Sequence, residues 1–213
     1  DLKVVVRAQE RLGSASTTSN IINFSFSEIK PPAVETNLYF TSVEEKNKIN
    51  LSSSVNSGDS FALFYSSQNI GNQWFEEFSG VLNSTVFNWV FEPANTSNEV
   101  YDFKLIRYNV CEEPSDSSFI TSTILLEENN GILSWNAPKH FINNNWYTEY
   151  TIEKFNSNLW TVVTATTNKT YSPSGFGKQL FRVRAVTSEN IPNNKNWSLS
   201  NEIEIDLGYD SSQ

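Results

Sequence analysis

The sequence predicts an all-β protein built from two tandem β-sandwich domains, and three observations predict it. Apolar runs of about five to nine residues recur about every 10–15 positions, separated by Asn, Ser, Gly and Pro, which is the rhythm of sandwich strands rather than packed helices. Leu180-Phe-Arg-Val-Arg-Ala-Val186 alternates strictly, so Phe181, Val183 and Ala185 take one face of a strand and Arg182 and Arg184 the other. Ile203 and Ile205 alternate in the same way with Glu202 and Glu204. Finally, 213 residues with 38% hydrophobic and 14% aromatic content suit two cores of about 100 residues each.

In chain order, the first half reads as strands at 2–9, 19–26, 37–43, 48–54, 60–66, 74–81, 84–92 and 99–110. Pro31-Pro32 separates the second from the third, because consecutive prolines cannot join a ladder. Ala94-Asn-Thr-Ser-Asn98 lies between Val86-Phe-Asn-Trp-Val-Phe91 and Val100-Tyr-Asp-Phe-Lys-Leu-Ile106, which predicts a hairpin. Cys111-Glu-Glu-Pro-Ser-Asp-Ser117 is short, polar and proline-bearing, and reads as a stiff linker. The expected division is 1–112, 113–208 and a tail at 209–213. Val4-Val-Val-Arg-Ala8 with Ser19-Asn-Ile-Ile-Asn-Phe24 echoes Phe181-Arg-Val-Arg-Ala185 with Ser200-Asn-Glu-Ile-Glu-Ile205. That echo supports a rival parsing in which 1–26 is the closing hairpin of a preceding domain.

Charge narrows the function classes. The net charge of −9 divides into −5 over residues 1–112 (8 basic, 13 acidic) and −4 over 113–213 (7 basic, 11 acidic). No segment is basic enough to collect phosphates, which argues against nucleic acid and anionic membrane surfaces. The single cysteine, Cys111, excludes an intrachain disulfide and is expected partly buried at a strand end or the domain junction, with an intermolecular bridge or reactive thiol as the alternative. No run of 18 apolar residues occurs, so a membrane link would need a segment outside this chain. The lack of Met reads as a processed piece, a mature ectodomain fragment. Six sequons, at Asn23, Asn50, Asn83, Asn95, Asn168 and Asn196, permit N-glycosylation.

Catalytic and metal chemistry find little support. The lone histidine, His140, follows Ala137-Pro138-Lys139 without the fixed carboxylate and nucleophile that a triad needs. One His and one Cys cannot build a zinc site. The acidic pairs Glu44-Glu45, Glu76-Glu77, Glu112-Glu113 and Glu127-Glu128 lack calcium-loop spacing and read as solvated edges. No metal, cofactor or enzymatic activity is expected.

Aromatic residues are the better candidates. Trp74 and Phe75 follow Asn69-Ile-Gly-Asn-Gln73, and Trp146 and Tyr147 follow Asn143-Asn-Asn145. Aromatics beside loops on a rigid scaffold are favoured binding residues, with packing onto outer strands as the alternative. Arg182, Arg184 and Trp197 form a candidate Arg–Trp ladder, in which stacked guanidinium and indole groups stiffen the hairpin.

From Pro114 onward the chain resembles a fibronectin type III domain. Ile120-Thr-Ser-Thr-Ile-Leu-Leu126 and Gly131-Ile-Leu-Ser-Trp-Asn-Ala-Pro138 resemble its first two strands, with Trp135 as the implied core anchor. Tyr150-Thr-Ile-Glu-Lys-Phe155, Trp160, residues 181–186 and residues 200–205 resemble its later strands. Gln179 stands where the family usually has tyrosine, so the loop at 172–177 must be fixed in some other way. The first half resembles an immunoglobulin-like sandwich, with Tyr101-Asp-Phe103 in place of Tyr-x-Cys. Trp197-Ser-Leu-Ser200 partly resembles the tryptophan–serine box of class I cytokine receptors. These resemblances imply an extracellular recognition or adhesion module of a cell-surface receptor, binding a protein ligand or a second copy of itself. The alternatives are a cytokine-receptor-type ectodomain, whose ligand would meet loops 111–117 and 140–146, and a carbohydrate-binding or spacer module of a secreted enzyme.

Overall fold

The computed structural model describes residues 2–4, 7–9, 16–18, 22–24, 37–71, 73–92, 95–109, 111–118, 120–139, 147–187 and 197–208; before residue 41, and at 147, 148 and 187, it describes the backbone alone. His140, Trp146 and Asn196 lie outside the described residues. The chain forms two compact units, Asp1–Val34 and Glu35–Gln213. In the first, β1 (Leu2–Val4) pairs with β4 (Ile22–Phe24), and β2 (Arg7–Gln9) with β3 (Ser16–Thr18), all antiparallel.

The second unit begins with β5 (Asn37–Glu45), β6 (Lys48–Ser54), β7 (Ser60–Ser67), β8 (Phe75–Val81), β9 (Val86–Phe91) and β10 (Tyr101–Tyr108). Short strands β11 (Pro114–Ser117) and β12 (Thr121–Ser122) follow. Next come β13 (Leu126–Asn129), β14 (Ile132–Trp135), β15 (Tyr147–Asn156), β16 (Leu159–Thr166) and β17 (Thr170–Tyr171). The last are β18 (Lys178–Thr187), β19 (Trp197–Leu199) and β20 (Ile203–Asp206). Four sheets result: β5-β6-β9; β11-β10-β7-β8, with β12 also on β10; β13-β14-β17; and β16-β15-β18-β19, with β20 also on β18.

Local chemistry explains the tight turns. Asn130 and Gly131 both have positive φ (53° and 80°), as do Ser157 and Asn158 (49° and 68°). Two-residue loops of this kind match the right-handed twist of flanking strands, which is why β13–β14 and β15–β16 close as hairpins.

Two apolar clusters hold this unit together. Ile49, Leu51, Phe61, Leu63, Phe87, Phe91, Phe103 and Leu105 are the centre of one, drawn from the β5-β6-β9 and β11-β10-β7-β8 sheets. Leu126, Leu133, Trp135, Ile152, Phe181 and Val183 are the centre of the other, drawn from the remaining two sheets. On β10 the buried positions are Tyr101, Phe103, Leu105 and Arg107, and on β18 they include Phe181, Val183 and Ala185. The period of two reported by the sequence is therefore the period of burial.

Two strands share one pairing scheme. On β10, Phe103 faces Thr121 and Ile106 faces Ser117. On β18, Phe181 faces Ile203 and Arg184 faces Leu199. Each time a long edge is closed by two short strands rather than one continuous strand. Ser118 and Ser200 sit at the break: each hydroxyl accepts the N–H of the strand opposite, from Leu105 (2.7 Å) and Val183 (2.8 Å).

Several sequence expectations are corrected. The all-β class holds, but the strands gather into small sheets in a propeller-like arrangement; two serial sandwiches are not evident, and neither a fibronectin type III nor an immunoglobulin-like domain is. The 86–91 and 100–106 runs form no hairpin: β9 pairs with β6 and β10 with β7. Most of the expected linker is structure, since β11 pairs with β10, and Pro114 occupies an edge strand where its missing N–H costs nothing. Cys111 is exposed rather than partly buried. The loop at 172–177 is fixed by the buried Gln179, whose Nε2 donates to the Phe176 carbonyl at 3.2 Å, and by Gly177 N–H donating to the Gly208 carbonyl at 2.7 Å.

Candidate functional site

The outer face of the β16-β15-β18-β19 sheet concentrates the candidate binding residues. Arg182 and Arg184 project from β18 on the side opposite the core residues Phe181, Val183 and Ala185. The Arg182 guanidinium lies 4.1 Å from the centroid of Trp160, and Arg184 lies 5.0 Å from that of Trp197. Between them stands Glu153 on β15, its side chain only 3% exposed, with one oxygen 2.6 Å from Arg182 Nε and the other 2.5 Å from Arg184 Nη2. A carboxylate shared by two guanidiniums makes strong charge-assisted hydrogen bonds. The chain of contacts runs Trp160, Arg182, Glu153, Arg184, Trp197, and the exposed Glu149 of β15, opposite Val186, lies on the same face, so two carboxylates accompany the two guanidiniums.

The predicted ladder residues Arg182, Arg184 and Trp197 are brought together. Sequence reading missed Glu153, its centre, and placed Trp160 only as a strand marker. A signal existed: in Tyr150-Thr-Ile-Glu-Lys-Phe155, a lone acid sits on the face opposite Tyr150 and Ile152.

Beside the ladder the surface turns apolar. Phe155 (38% exposed) packs against Trp160 with ring centroids 5.2 Å apart. Leu159 and Val162 on β16 are 69% and 64% exposed, and Val163 is 42% exposed. β16 is the edge of its sheet, and Leu-Trp-Thr-Val-Val-Thr-Ala-Thr carries no charge. Charged residues, prolines and bulges are the usual guards of an edge strand. Here a bulge opposite Ile152 and Glu153 is present, but no charge and no proline.

The other predicted aromatics divide. Trp74 covers Lys104, whose Nζ lies 4.3 Å from its ring centroid and 5.6 Å from that of Phe64. Phe75, still 41% exposed, stacks on Tyr65 at 5.8 Å. Both therefore lean on their own sheet. Tyr147 opens β15 opposite Thr187. Among the sequons, Asn83, Asn95 and Asn168 are exposed, Asn50 is half-buried within β6, and Asn23 lies in β4. Among the described residues no group of three or more His, Cys, Asp or Glu could hold a metal ion, and no helix is long and apolar enough to cross a membrane.

A groove of about 200 Å³ lies between the two halves of the second unit, lined by Val43, Lys46 and Thr96 on one side and Leu180, Asn201 and Glu202 on the other. It falls below the roughly 300–1,000 Å³ typical of small-molecule sites. Beside it runs a buried polar seam. Thr41 Oγ1 donates to the Ser122 carbonyl at 2.8 Å, and Leu199 N–H donates to Ser42 Oγ at 3.1 Å. Asn201 accepts from Leu126 N–H at 2.7 Å and donates to the Leu126 carbonyl at 2.9 Å. No protein-family model matches the chain, and no curated protein does.

Proposed function

We propose that this chain is a non-enzymatic recognition module of a cell-surface or secreted protein, binding another protein through the open β16 edge and the Arg–Trp face beside it. The observation that carries the reading is the uncharged edge with Leu159 and Val162 largely exposed. An added strand gains main-chain hydrogen bonds along such an edge, while neighbouring side chains set its specificity. Neither nucleic acid nor a cofactor belongs to this reading, and a membrane enters only through a segment outside the chain. Extracellular placement is part of the proposal, with Asn83, Asn95 and Asn168 as accessible glycan acceptors. The finer architecture is proposed as two tandem sandwich units with their division near residue 112; what supports it is that each core within residues 35–213 lies between one three-stranded and one five-stranded sheet, with residues 1–34 standing as a separate compact unit. The sugar-stacking alternative is weakened by Lys104, which already occupies a face of Trp74.

The test is an amide NMR titration with a blocked eight-residue peptide of alternating Thr and Val carrying two Glu. Shifts confined to 159–166 and neighbouring β15, lost in Val162→Lys, are expected. Shifts absent from β16, or unchanged in that variant, would remove the reading.

A further inference from the structure

We propose that Asn130 is a spontaneous modification site, where the side chain cyclises onto the Gly131 backbone nitrogen, and that the Glu128 carboxylate restrains this reaction in the folded chain. Asn130-Gly131 is the only Asn-Gly pair in the sequence. The Gly131 nitrogen, once its proton has passed to a base, bonds to the side-chain carbonyl carbon of Asn130. The bond from that carbon to Nδ2 breaks, and ammonia leaves with a proton returned from solvent, giving a five-membered imide. Water then opens either imide carbonyl and leaves aspartate or isoaspartate. Water is the sole co-reactant, and nothing is oxidised or reduced.

The β13–β14 turn sets this pair in water. Asn130 is exposed and Gly131 half-exposed. Beyond its own chain neighbours, nothing among the described residues lies within 4 Å of the point a Gly131 Cβ would occupy, so that side of the glycine is open. Turns with two successive positive φ values favour Asn-Gly, and the pair that closes this hairpin is therefore also the pair most prone to cyclise. The β15–β16 turn reaches the same left-handed backbone with Ser157 and Asn158, but Leu159 follows that asparagine and its branched side chain crowds the attack. One contact opposes cyclisation at Asn130: Gly131 N–H donates to Glu128 Oε1 at 2.6 Å. The nitrogen attacks only after losing that proton, and a carboxylate at hydrogen-bond distance disfavours a second negative charge beside it. Glu127, equally exposed, leaves β13 on the opposite face. Isoaspartate would add a backbone carbon between strands that carry Leu126, Leu133 and Trp135 of the second core.

Peptide mass spectrometry of the full chain, kept folded at mildly alkaline pH, tests this. Asn130 should convert about tenfold faster in Glu128→Ala than in the wild type, the effect of removing an adjacent like charge. In that variant it should also outrun Asn83, an exposed asparagine followed by Ser84. Glu127→Ala removes the same charge without touching the Gly131 N–H, so its rate should stay near that of the wild type. Both variants should keep the wild-type circular dichroism spectrum. In urea the wild type and Glu128→Ala should convert alike, because the restraint belongs to the turn. Equal rates in the folded wild type and Glu128→Ala overturn the inference, and so does slower conversion in the variant, which would make Glu128 the base. An equal acceleration in Glu127→Ala, a difference that persists in urea, or faster conversion at Asn83 than at Asn130 in Glu128→Ala overturns it as well.

Discussion

Glu153 is the residue on which the candidate surface depends. A carboxylate removed from water is costly unless its oxygens are paired, and here each oxygen meets a guanidinium. Glu153→Ala strips that compensation and leaves two part-buried cations side by side, so a loss of about 3–5 kcal/mol is expected. Chemical denaturation monitored by tryptophan fluorescence measures it, and a loss below 1 kcal/mol would mean the ladder behaves as an ordinary surface pair. Two phenols give the pH dependence. Burial pushes Tyr150 and Tyr101 above their ordinary value of 10.0, so the unfolded chain ionises first. Their contribution is full below pH 10 and is lost as the pH rises through the raised folded values. Melting temperatures should therefore hold to about pH 9 and fall beyond pH 10, with a smaller fall in Tyr150→Phe. At this scale the sequence revealed what sits close along the chain: Arg182, Arg184 and Trp197 share one hairpin. Glu153 joins them from 29 residues away, through a cross-strand register that no local pattern encodes.

Strands were legible where burial imposes a period of two. The runs at 48–54 and 60–66 coincide with β6 and β7 almost residue for residue. Partners were not legible, because β9 carries the same alternation whether it meets β6 or β10. The pairing is decided by which sheet its buried face covers, and Phe87 and Phe91 cover the cluster shared with β6. The split closing strand was also hidden. Its marker is a serine whose hydroxyl satisfies an N–H left over at the break, and serine in a polar segment looks like any turn residue. Ser200 is fully buried, so Ser200→Ala leaves the Val183 N–H without that acceptor, at an expected cost of about 1–3 kcal/mol. Hydrogen exchange should then speed up at Val183 selectively; protection unchanged there would show that the serine is incidental. Gly175 offers a second check on the same edge. Its φ is +114°, and an added Cβ would come within 2.7 Å of Gln179 Nε2. Gly175→Ala should therefore lose about 1–3 kcal/mol and loosen the 172–177 loop.

Across residues 35–213, two apolar cores could unfold separately or as one body. The polar seam decides between these outcomes. Thr41 and Ser42 sit on β5 beside the first core; Ser42 accepts from Leu199 on β19 of the second core's sheet, while Thr41 ties β5 to Ser122 on β12 of the first core's own β10 sheet. Thr41, Ser42, Ser122, Ser198 and Ser200 are all 1% exposed or less, so water cannot replace these partners cheaply. A buried network of this kind couples its two sides, because opening either side exposes unsatisfied groups on the other. The wild type should accordingly melt in a single calorimetric transition. Thr41→Val with Ser42→Ala keeps both cores intact and removes the two β5 hydroxyls of the seam, leaving the Leu199 N–H without its acceptor. The variant should resolve into two transitions, and Leu133→Ala added to it should shift only the transition of the core containing Trp135. A single transition in the double variant, moved as a whole by Leu133→Ala, would place the coupling in the apolar contacts between β5 and β19 rather than in the hydroxyls.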